Sequence, residues 1–407
     1  MIYDIIDQIN AKFCLTQGSR ADEPRFIRAF KQTLASKRKQ MRYFWRLLLF
    51  AALTGCSGGG VDRTPEKGND TASQQDKTQV TDPKEQTEAI TPKAYQQMLH
   101  TGMDVDWLKT TPGRTAARRS HEAGINVPAI FKQRGLSHVR MRIKEDILSD
   151  PTLLQETKDM VDDCMQAGLI PIIAYQASEF KDDPTDDETL AHVKAWWEKM
   201  AETFKNYPYT VAYDLIIETT GELKKHNDRL NLLYKEVTAA IRRIDPKRIV
   251  IVAPNKISNP MELDNLEVPE PTEFMMVEWH FYAAGPKKDN PKKQWTSGTA
   301  YEKKLITDKI DHAYNWSQEH GIPTWVGAWM ANNYNDVNAD ATLTDGAPGG
   351  GDYNITEQKA FARFVSDRLR EKGIPFAVNS DTKFFNRETN QWYPSMAEVL
   401  DIMIGTR

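Results

Sequence analysis

Two glutamates stand where apolar, β-rich segments of the chain end, and both could carry out acid–base chemistry. Glu218 follows the segment "TVAYDLII", and a period of two places it on the same face as Asp214 and Ile216. Beside Ile216 and Ile217 the pKa of its carboxyl group is expected to be raised, as a general acid requires. The structural alternative is an ion pair between Glu218 and an arginine or lysine.

Glu278 is the second candidate, because it lies two residues before His280 and therefore on the same face of a predicted strand. It would lie one layer deeper in the protein than His280. The alternative, favoured over a catalytic Glu278, is a buried carboxylate that holds Arg140 or Arg142. Further candidates for the second carboxyl group are two acids in a predicted loop, Glu179 and Asp182.

Eight short apolar segments separated by amphipathic stretches predict a parallel sheet with helices outside it. The segments are "GMDVDW" from 102, "SHVRMRI" from 137, "LIPIIAY" from 169, "TVAYDLII" from 210, "RIVIVAP" from 248, "FMMVEWHFY" from 274, "IPTWVGAWM" from 322 and "IPFAVN" from 374. Predicted helices cover residues 187–207, 228–244, 299–320, 355–372 and 395–404. One domain over residues 93–407 with eight β/α units predicts a TIM (β/α)8 barrel, an α/β fold whose chemistry collects at the carboxyl ends of the strands. No "GxGxxG" follows the first strand, which argues against a Rossmann fold.

Aromatic residues are frequent at the predicted strand ends, where flat rings suit the C–H faces of sugar rings. They are Trp107, Tyr175, Trp279, Phe281, Tyr282, Trp329 and Tyr334. We assign Trp107 and Trp329 to sugar binding. The alternative is that about half of these rings pack the core, and Trp279 in particular could face the helix layer.

The strand-end motifs resemble those of retaining glycoside hydrolases with a TIM barrel, most closely the cellulase-like family 5. "YDLIIETTGEL" from 213 is similar to the fourth-strand segment that carries the acid/base residue, here Glu218. "WHFYAAG" from 279 resembles the segment that places His280 and Tyr282 beside the sugar. "SHVRMRI" resembles the second strand, whose arginine, here Arg140, holds the nucleophile. "GMDVDW", "GLSHVRMRI" and "YQASEFKDDP" also resemble the family 53 galactanases, and the resemblance as a whole spans residues 95–407.

Three positions depart from the family pattern. Ile217 replaces the asparagine before the acid/base, Gln176 replaces the third-strand histidine, and Ala328 stands at the nucleophile position. We assign Gln176 to substrate binding together with Arg140, His280 and Tyr282. A retaining mechanism needs two carboxyl groups ~5–5.5 Å apart, whereas an inverting one places them ~6.5–9.5 Å apart around a water. The resemblance therefore implies a hydrolase of β-linked polysaccharides or oligosaccharides with a displaced second carboxylate, or a barrel that binds glycans without cleaving them. A purely structural surface protein is a third class.

The region before the predicted barrel has the composition of a targeting segment. "MRYFWRLLLFAALTGCSGGG" from 41 has a charged start, a short apolar core and small residues before Cys56, as in a signal peptide. Its last residues resemble the bacterial lipoprotein box, which implies a lipid on Cys56 and a membrane-anchored barrel facing the periplasm or the cell exterior. We predict an upstream extension outside the fold at 1–40, the signal at 41–56 and a flexible linker at 57–92.

Composition restricts the partners. The formal net charge is -4 and no basic stripe is interleaved with aromatics, which argues against nucleic acid as a partner. The three cysteines, Cys14, Cys56 and Cys164, have neither metal-ligand nor disulfide spacing. We expect no metal or other cofactor, contact with the membrane only through the lipid, and a monomer. "DVNADAT" at 336–342 lacks the glycine and the terminal glutamate of a calcium loop, so a lid over a glycan cleft is preferred.

Overall fold

The computed structural model describes residues 88–281, 298–329, 344–347 and 355–406, which form a closed barrel of eight parallel strands. The strands follow one another around the barrel in chain order, and the eighth pairs with the first. They are β1 (Thr101–Leu108), β2 (His138–Ile143), β3 (Ile170–Tyr175), β4 (Ala212–Asp214), β5 (Val250–Val252), β6 (Met275–Phe281), β7 (Thr324–Trp329) and β8 (Phe376–Asn379). The predicted TIM barrel is confirmed.

Helices surround this barrel. They are α1 (Pro92–Leu99), α2 (Thr111–Glu122), α3 (Val127–Gln133), α4 (Pro151–Gln166), α5 (Ser178–Asp182), α6 (Asp187–Phe204), α7 (Asn227–Ile244), α8 (Ala300–His320), α9 (Ile355–Glu371) and α10 (Ala397–Ile404). The five predicted helices correspond to α6 to α10 with small differences at their ends. Within the described ranges, no helix is long and apolar enough to cross a membrane.

The core has two layers, because alternate strand residues face the barrel interior and the helices. The interior is filled by a small apolar cluster that includes Ile172, Ile251, Met276 and Trp325. A larger cluster lies between the strands and the helices. Above the interior apolar layer, several strands turn charged side chains inward, and these build the site described below.

The fourth strand is shorter than the sequence predicts. β4 ends at Asp214, and the chain then departs from regular strand geometry, with Glu218 at a φ of +48°. The Ile217 amide still donates a hydrogen bond to the Tyr175 carbonyl at 2.9 Å. Strict alternation therefore does not continue from Asp214 to Glu218, and the orientation of Glu218 comes from its turn.

The signal segment, Cys56, most of the linker, Tyr282, Tyr334 and the 336–342 loop lie outside the described residues.

Candidate active site

The guanidinium of Arg140 lies at the centre of a buried charged cluster in the barrel. Its Nε donates to Oδ2 of Asp214 at 2.6 Å, and its Nη2 donates to Oε1 of Glu278 at 3.0 Å. Asp104 lies 3.8 Å away from Nη1. We call Asp104, Arg140, Asp214, Glu278 and His280 the Arg140 cluster. Three acidic side chains thus surround one guanidinium, which is the ion-pair partner of Asp214 and contributes to the charge compensation of Glu278 and Asp104.

Glu278 occupies the space above Gly327 in the neighbouring strand. A Cβ atom built on Gly327 would overlap Oε2 of Glu278 and would approach Nε2 of His280 to 3.2 Å. The Glu278 side chain has no solvent-exposed surface. The structure therefore favours the alternative in which Glu278 is a buried carboxylate, and the arginine with which it pairs is Arg140 and not Arg142.

Gly327→Ala is expected to destabilise the protein by about 1–3 kcal/mol, because the new methyl group must displace a buried, ion-paired carboxylate. Chemical denaturation of the wild type, Gly327→Ala, Glu278→Ala and the double variant measures this. The added cost of Gly327→Ala should fall sharply in the Glu278→Ala background, where the methyl group has room. An equal cost in both backgrounds would show that Glu278 is not the group displaced.

His280 links Glu278 to Glu218. Its Nδ1 lies 3.1 Å from Oε1 of Glu218, and its Nε2 lies 3.3 Å from Oε2 of Glu278. Burial lowers the pKa of His280, but Glu278 and the hydrogen bonds to Glu218 and Glu278 outweigh it and raise the pKa to about 9. At neutral pH the ring is therefore an imidazolium that donates to both carboxylates.

Glu218 differs from the buried acids in its access to solvent. Its side chain is 28% exposed, whereas those of Asp214 and Glu278 are fully buried. It also stands at the carboxyl end of the barrel, where (β/α)8 enzymes bind their substrates. Of the three acids Glu218, Asp214 and Glu278, Glu218 is therefore the one that can meet a ligand and exchange a proton with it.

Ala328 pairs in register with His280 across β6 and β7, after an irregularity between Trp279 and His280. The position that the family pattern reserves for a nucleophile thus lies beside the imidazole, with a methyl group in place of a carboxylate. The neighbouring Glu278 is fully buried and bonded to Arg140. Neither side chain can attack a sugar carbon in this arrangement.

The other residues predicted to contact sugar are either partly exposed at a strand end or buried in the core. Gln176 lies at the end of β3, partly exposed, with a buried Oε1 that has no hydrogen-bond partner. The Trp329 ring is buried and packs edge-on against Phe361 and Phe376. The structure therefore corrects the assignment of Trp329 to sugar binding, because its ring lies between the barrel and the helices.

Trp107 requires the same correction. Its ring is 2% exposed and packs edge-on against Phe131 of α3 at a centroid distance of 5.0 Å. Trp279 and Phe281 are also buried in the layer between strands and helices. The packing alternative thus holds for these four rings.

Two parts of the site were not identified from the sequence. Asp104 of β1 forms an ion pair with Arg142 at 2.9 Å, and Arg142 also contacts Asp106. Burial raises the pKa of Asp104 to about 6, against the opposing attraction of Arg142 and Arg140. Burial also raises the pKa of Asp214, against the attraction of Arg140. The sequence signal that could have revealed these ion pairs is the pair of aspartates at alternate positions of "GMDVDW", Asp104 and Asp106.

Lys181 is the second part. It is 2% exposed and donates from Nζ to the carbonyl oxygen of Ile217, directly before Glu218. The loop acids Glu179 and Asp182 flank it on α5 and are exposed. Nothing in "SEFKDDP" distinguishes a buried lysine from an exposed one, so this contact could not be read from the sequence.

The arrangement can transfer a proton at one position. Glu218 is partly open to solvent, which can supply its proton, and the imidazole of His280 can stabilise the carboxylate that remains after the proton has left. Among the described groups of three or more histidine, cysteine, aspartate and glutamate side chains, none has the geometry to hold a metal ion. The exposed carboxylate of Glu218 and its hydrogen bond with His280 suit acid–base chemistry with water, or polar recognition of hydroxyl groups.

Comparison with known proteins identifies relatives of this barrel. The family model described as Cellulase (glycosyl hydrolase family 5) matches residues 92–363. Endoglucanase H of Acetivibrio thermocellus is 21% identical over 268 residues, which are 64% of this chain and 28% of that protein. Endoglucanase A of Evansella cellulosilytica is 22% identical over 240 residues, 55% of this chain and 47% of that protein. The matched part of the chain thus spans less than half the length of each of these relatives.

Solved structures resemble the fold. A hyperthermophilic endo-beta-1,4-glucanase in complex with substrate superposes with a TM-score of 0.62 at 19% identity, covering 78% of this chain and 100% of that chain. A broad-specificity endoglucanase of subfamily GH5-4 from "Clostridum cellulovorans" gives a TM-score of 0.63 at 16% identity, covering 80% and 99%. At these identities the likeness supports the barrel fold and no detail of the site.

Proposed function

The chain belongs to glycosyl hydrolase family 5, the cellulase family, and on that premise we propose that it hydrolyses a β-linked glucan with Glu218 as the general acid. The observation that carries this proposal is the partly exposed Glu218 carboxylate, hydrogen bonded to His280, whose pKa is raised by Glu278 and by its hydrogen bonds to Glu218 and Glu278. The similar proteins named as endoglucanases support a glucan as the substrate class.

In this mechanism Glu218 delivers a proton to the glycosidic oxygen as the bond to the sugar carbon breaks. The carboxylate left on Glu218 accepts the hydrogen bond from Nδ1 of His280 and, because Glu218 is partly exposed, is reprotonated from solvent. We assign the attack on the sugar carbon to water, because among the described residues neither Ala328, which has no carboxylate, nor the buried Glu278 can act as the nucleophile. The route is therefore inverting, with the exposed loop acids Glu179 and Asp182 as candidates for the base.

A second candidate function is glycan binding without cleavage. It is favoured by Ala328, which stands in register with His280 where the family pattern has a nucleophile. In that case Glu218 and Gln176 act only as polar contacts to sugar hydroxyls. Both functions would use the same cleft, but only the hydrolase would release product.

Soluble β-glucans and cello-oligosaccharides test both functions when hydrolysis and binding are measured on the same samples. Release of reducing ends by the wild type supports the hydrolase. Saturable binding without product over long incubation supports the second function. Absence of both would remove β-glucans as the ligand class.

We further propose that the barrel acts as a monomer at the surface of a bacterial membrane, held by a lipid on Cys56. The support is the charged, apolar and small-residue sequence that ends at Cys56. A linker with few apolar residues over 57–92 would let the barrel reach extended glycans.

Cells fed with labelled palmitate should incorporate the label into the wild-type protein and not into Cys56→Ser, because the thiol is the proposed attachment point. Cys164→Ser is the matched control, since this thiol is buried within the barrel. Gel autoradiography and membrane fractionation report the result. Label retained in Cys56→Ser would exclude Cys56 as the lipid site.

A further inference from the structure

Lys181 is held in the barrel mouth by two short elements that pack closely. It lies on α5, and the turn of 3-10 helix that follows Glu218, Gly221–Lys225, packs against that segment. A Cβ atom on Gly221 would lie 2.7 Å from the Lys181 carbonyl oxygen, so only glycine permits this approach. The backbone that carries Lys181 is therefore fixed relative to the backbone that carries Glu218.

The side chain of Lys181 is directed at the same peptide. Lysine is rarely fully buried unless its ammonium group is paired, and Lys181 is 2% exposed. Its Nζ donates to the carbonyl oxygen of Ile217, the residue directly before Glu218. Ile217 has no polar side chain of its own to orient this turn, so the polar contact comes from α5.

The charges around Lys181 come from several strands and are of both signs. The groups that act on it are Glu218 and Asp214, which favour its charged form, and Arg140 and Lys109, which oppose it. His280 faces Glu218 from β6. Burial lowers the pKa of Lys181 to about 7, against the attraction of Glu218. The charge beside Glu218 therefore changes within the neutral pH range.

We propose that Lys181 is a positioning residue that orients the Ile217–Glu218 peptide and sets the charge state of the Glu218 carboxyl group. The inference rests on the proposed function, in which Glu218 transfers the proton. A nearby ammonium group favours the ionised carboxylate, and its neutral amine removes that preference. Removing the ammonium group from position 181 should therefore let Glu218 keep its proton to a higher pH.

The test measures the titration of Glu218 directly, by carbon-13 NMR of the labelled carboxyl group, with the signal identified by its loss in Glu218→Gln. In Lys181→Met the titration midpoint of Glu218 should rise by on the order of one pH unit, because the attraction between the Lys181 ammonium group and the ionised carboxylate is lost. In Lys181→Arg the midpoint should lie at or below the wild-type value, since arginine keeps its charge. Lys225→Met, which removes an exposed lysine paired with Glu222, is the control.

Unchanged Glu218 titration in a folded Lys181→Met would overturn the proposal. If Lys181→Met does not fold, Lys181→Arg decides: a Glu218 midpoint above the wild-type value contradicts a charge-setting role. The pH–rate profile provides a second readout. The limb of that profile that reports the titration of Glu218 should move in the same direction as the NMR midpoint. Because the NMR titration needs no turnover, a shifted midpoint without any hydrolysis would reject the proposed function and leave the role of Lys181 standing.

Discussion

Glu218→Gln is expected to lower the rate of glucan hydrolysis by about 10²–10⁴-fold, the usual contribution of a positioned general acid. Glutamine keeps the size of the side chain and can still accept the hydrogen bond from His280, so the fold and the affinity for glucan should change little. The measurement is kcat and KM on a soluble β-glucan, together with calorimetric binding of a cello-oligosaccharide.

Glu222→Gln is the matched control, because Glu222 lies four residues further along and pairs with Lys225 on the surface. Its turnover should equal that of the wild type. Wild-type hydrolysis that persists undiminished in Glu218→Gln would exclude Glu218 as the acid. Equal glucan binding by both proteins with no turnover in either would favour the binding function.

Arg140→Met is expected to destabilise the protein by about 3–5 kcal/mol, because Asp214 loses its buried ion-pair partner and Glu278 and Asp104 keep only His280 and Arg142. The effect should be smaller at pH 5 than at pH 8. Burial raises the pKa of Asp104 and of Asp214, so lowering the pH protonates these acids in the folded state and removes charge that would otherwise be uncompensated. Urea denaturation at the two pH values measures both effects.

Arg119→Met provides the control for burial. Arg119 forms an ion pair with Glu388 at 2.6 Å, as short as that of Arg140 with Asp214, but its side chain is 46% exposed. Exposed pairs contribute about 0–1 kcal/mol. Equal losses of unfolding free energy in Arg119→Met and Arg140→Met would refute the central role of Arg140.

The barrel could be predicted because its strands have a recognisable composition and spacing. In β2, "HVRMRI" alternates arginines with apolar residues, and the structure turns Arg140 and Arg142 inward and packs Val139, Met141 and Ile143 outward. The carboxyl ends of parallel strands meet at one rim. For that reason the sequence alone predicts that Arg140, Glu218 and His280 lie close together.

The errors arise where strands are irregular. Pairing of β6 with β7 shifts between Trp279 and His280, and pairing of β7 with β8 shifts between Val326 and Trp329. A shift of one residue moves a side chain to the other face. Strict alternation therefore could not show that the Trp329 ring lies in the outer core. The buried Lys181 depends on the packing of two loops, which no local pattern encodes.

The missing side chain at Gly327 has a consequence for the order in which this site could change by mutation. Oε2 of Glu278 occupies the space that a Cβ atom at position 327 would need. A side chain at 327 becomes tolerable only after Glu278 has been shortened. The effect of one substitution thus depends on the other being made first, and the first step removes a partner of both Arg140 and His280.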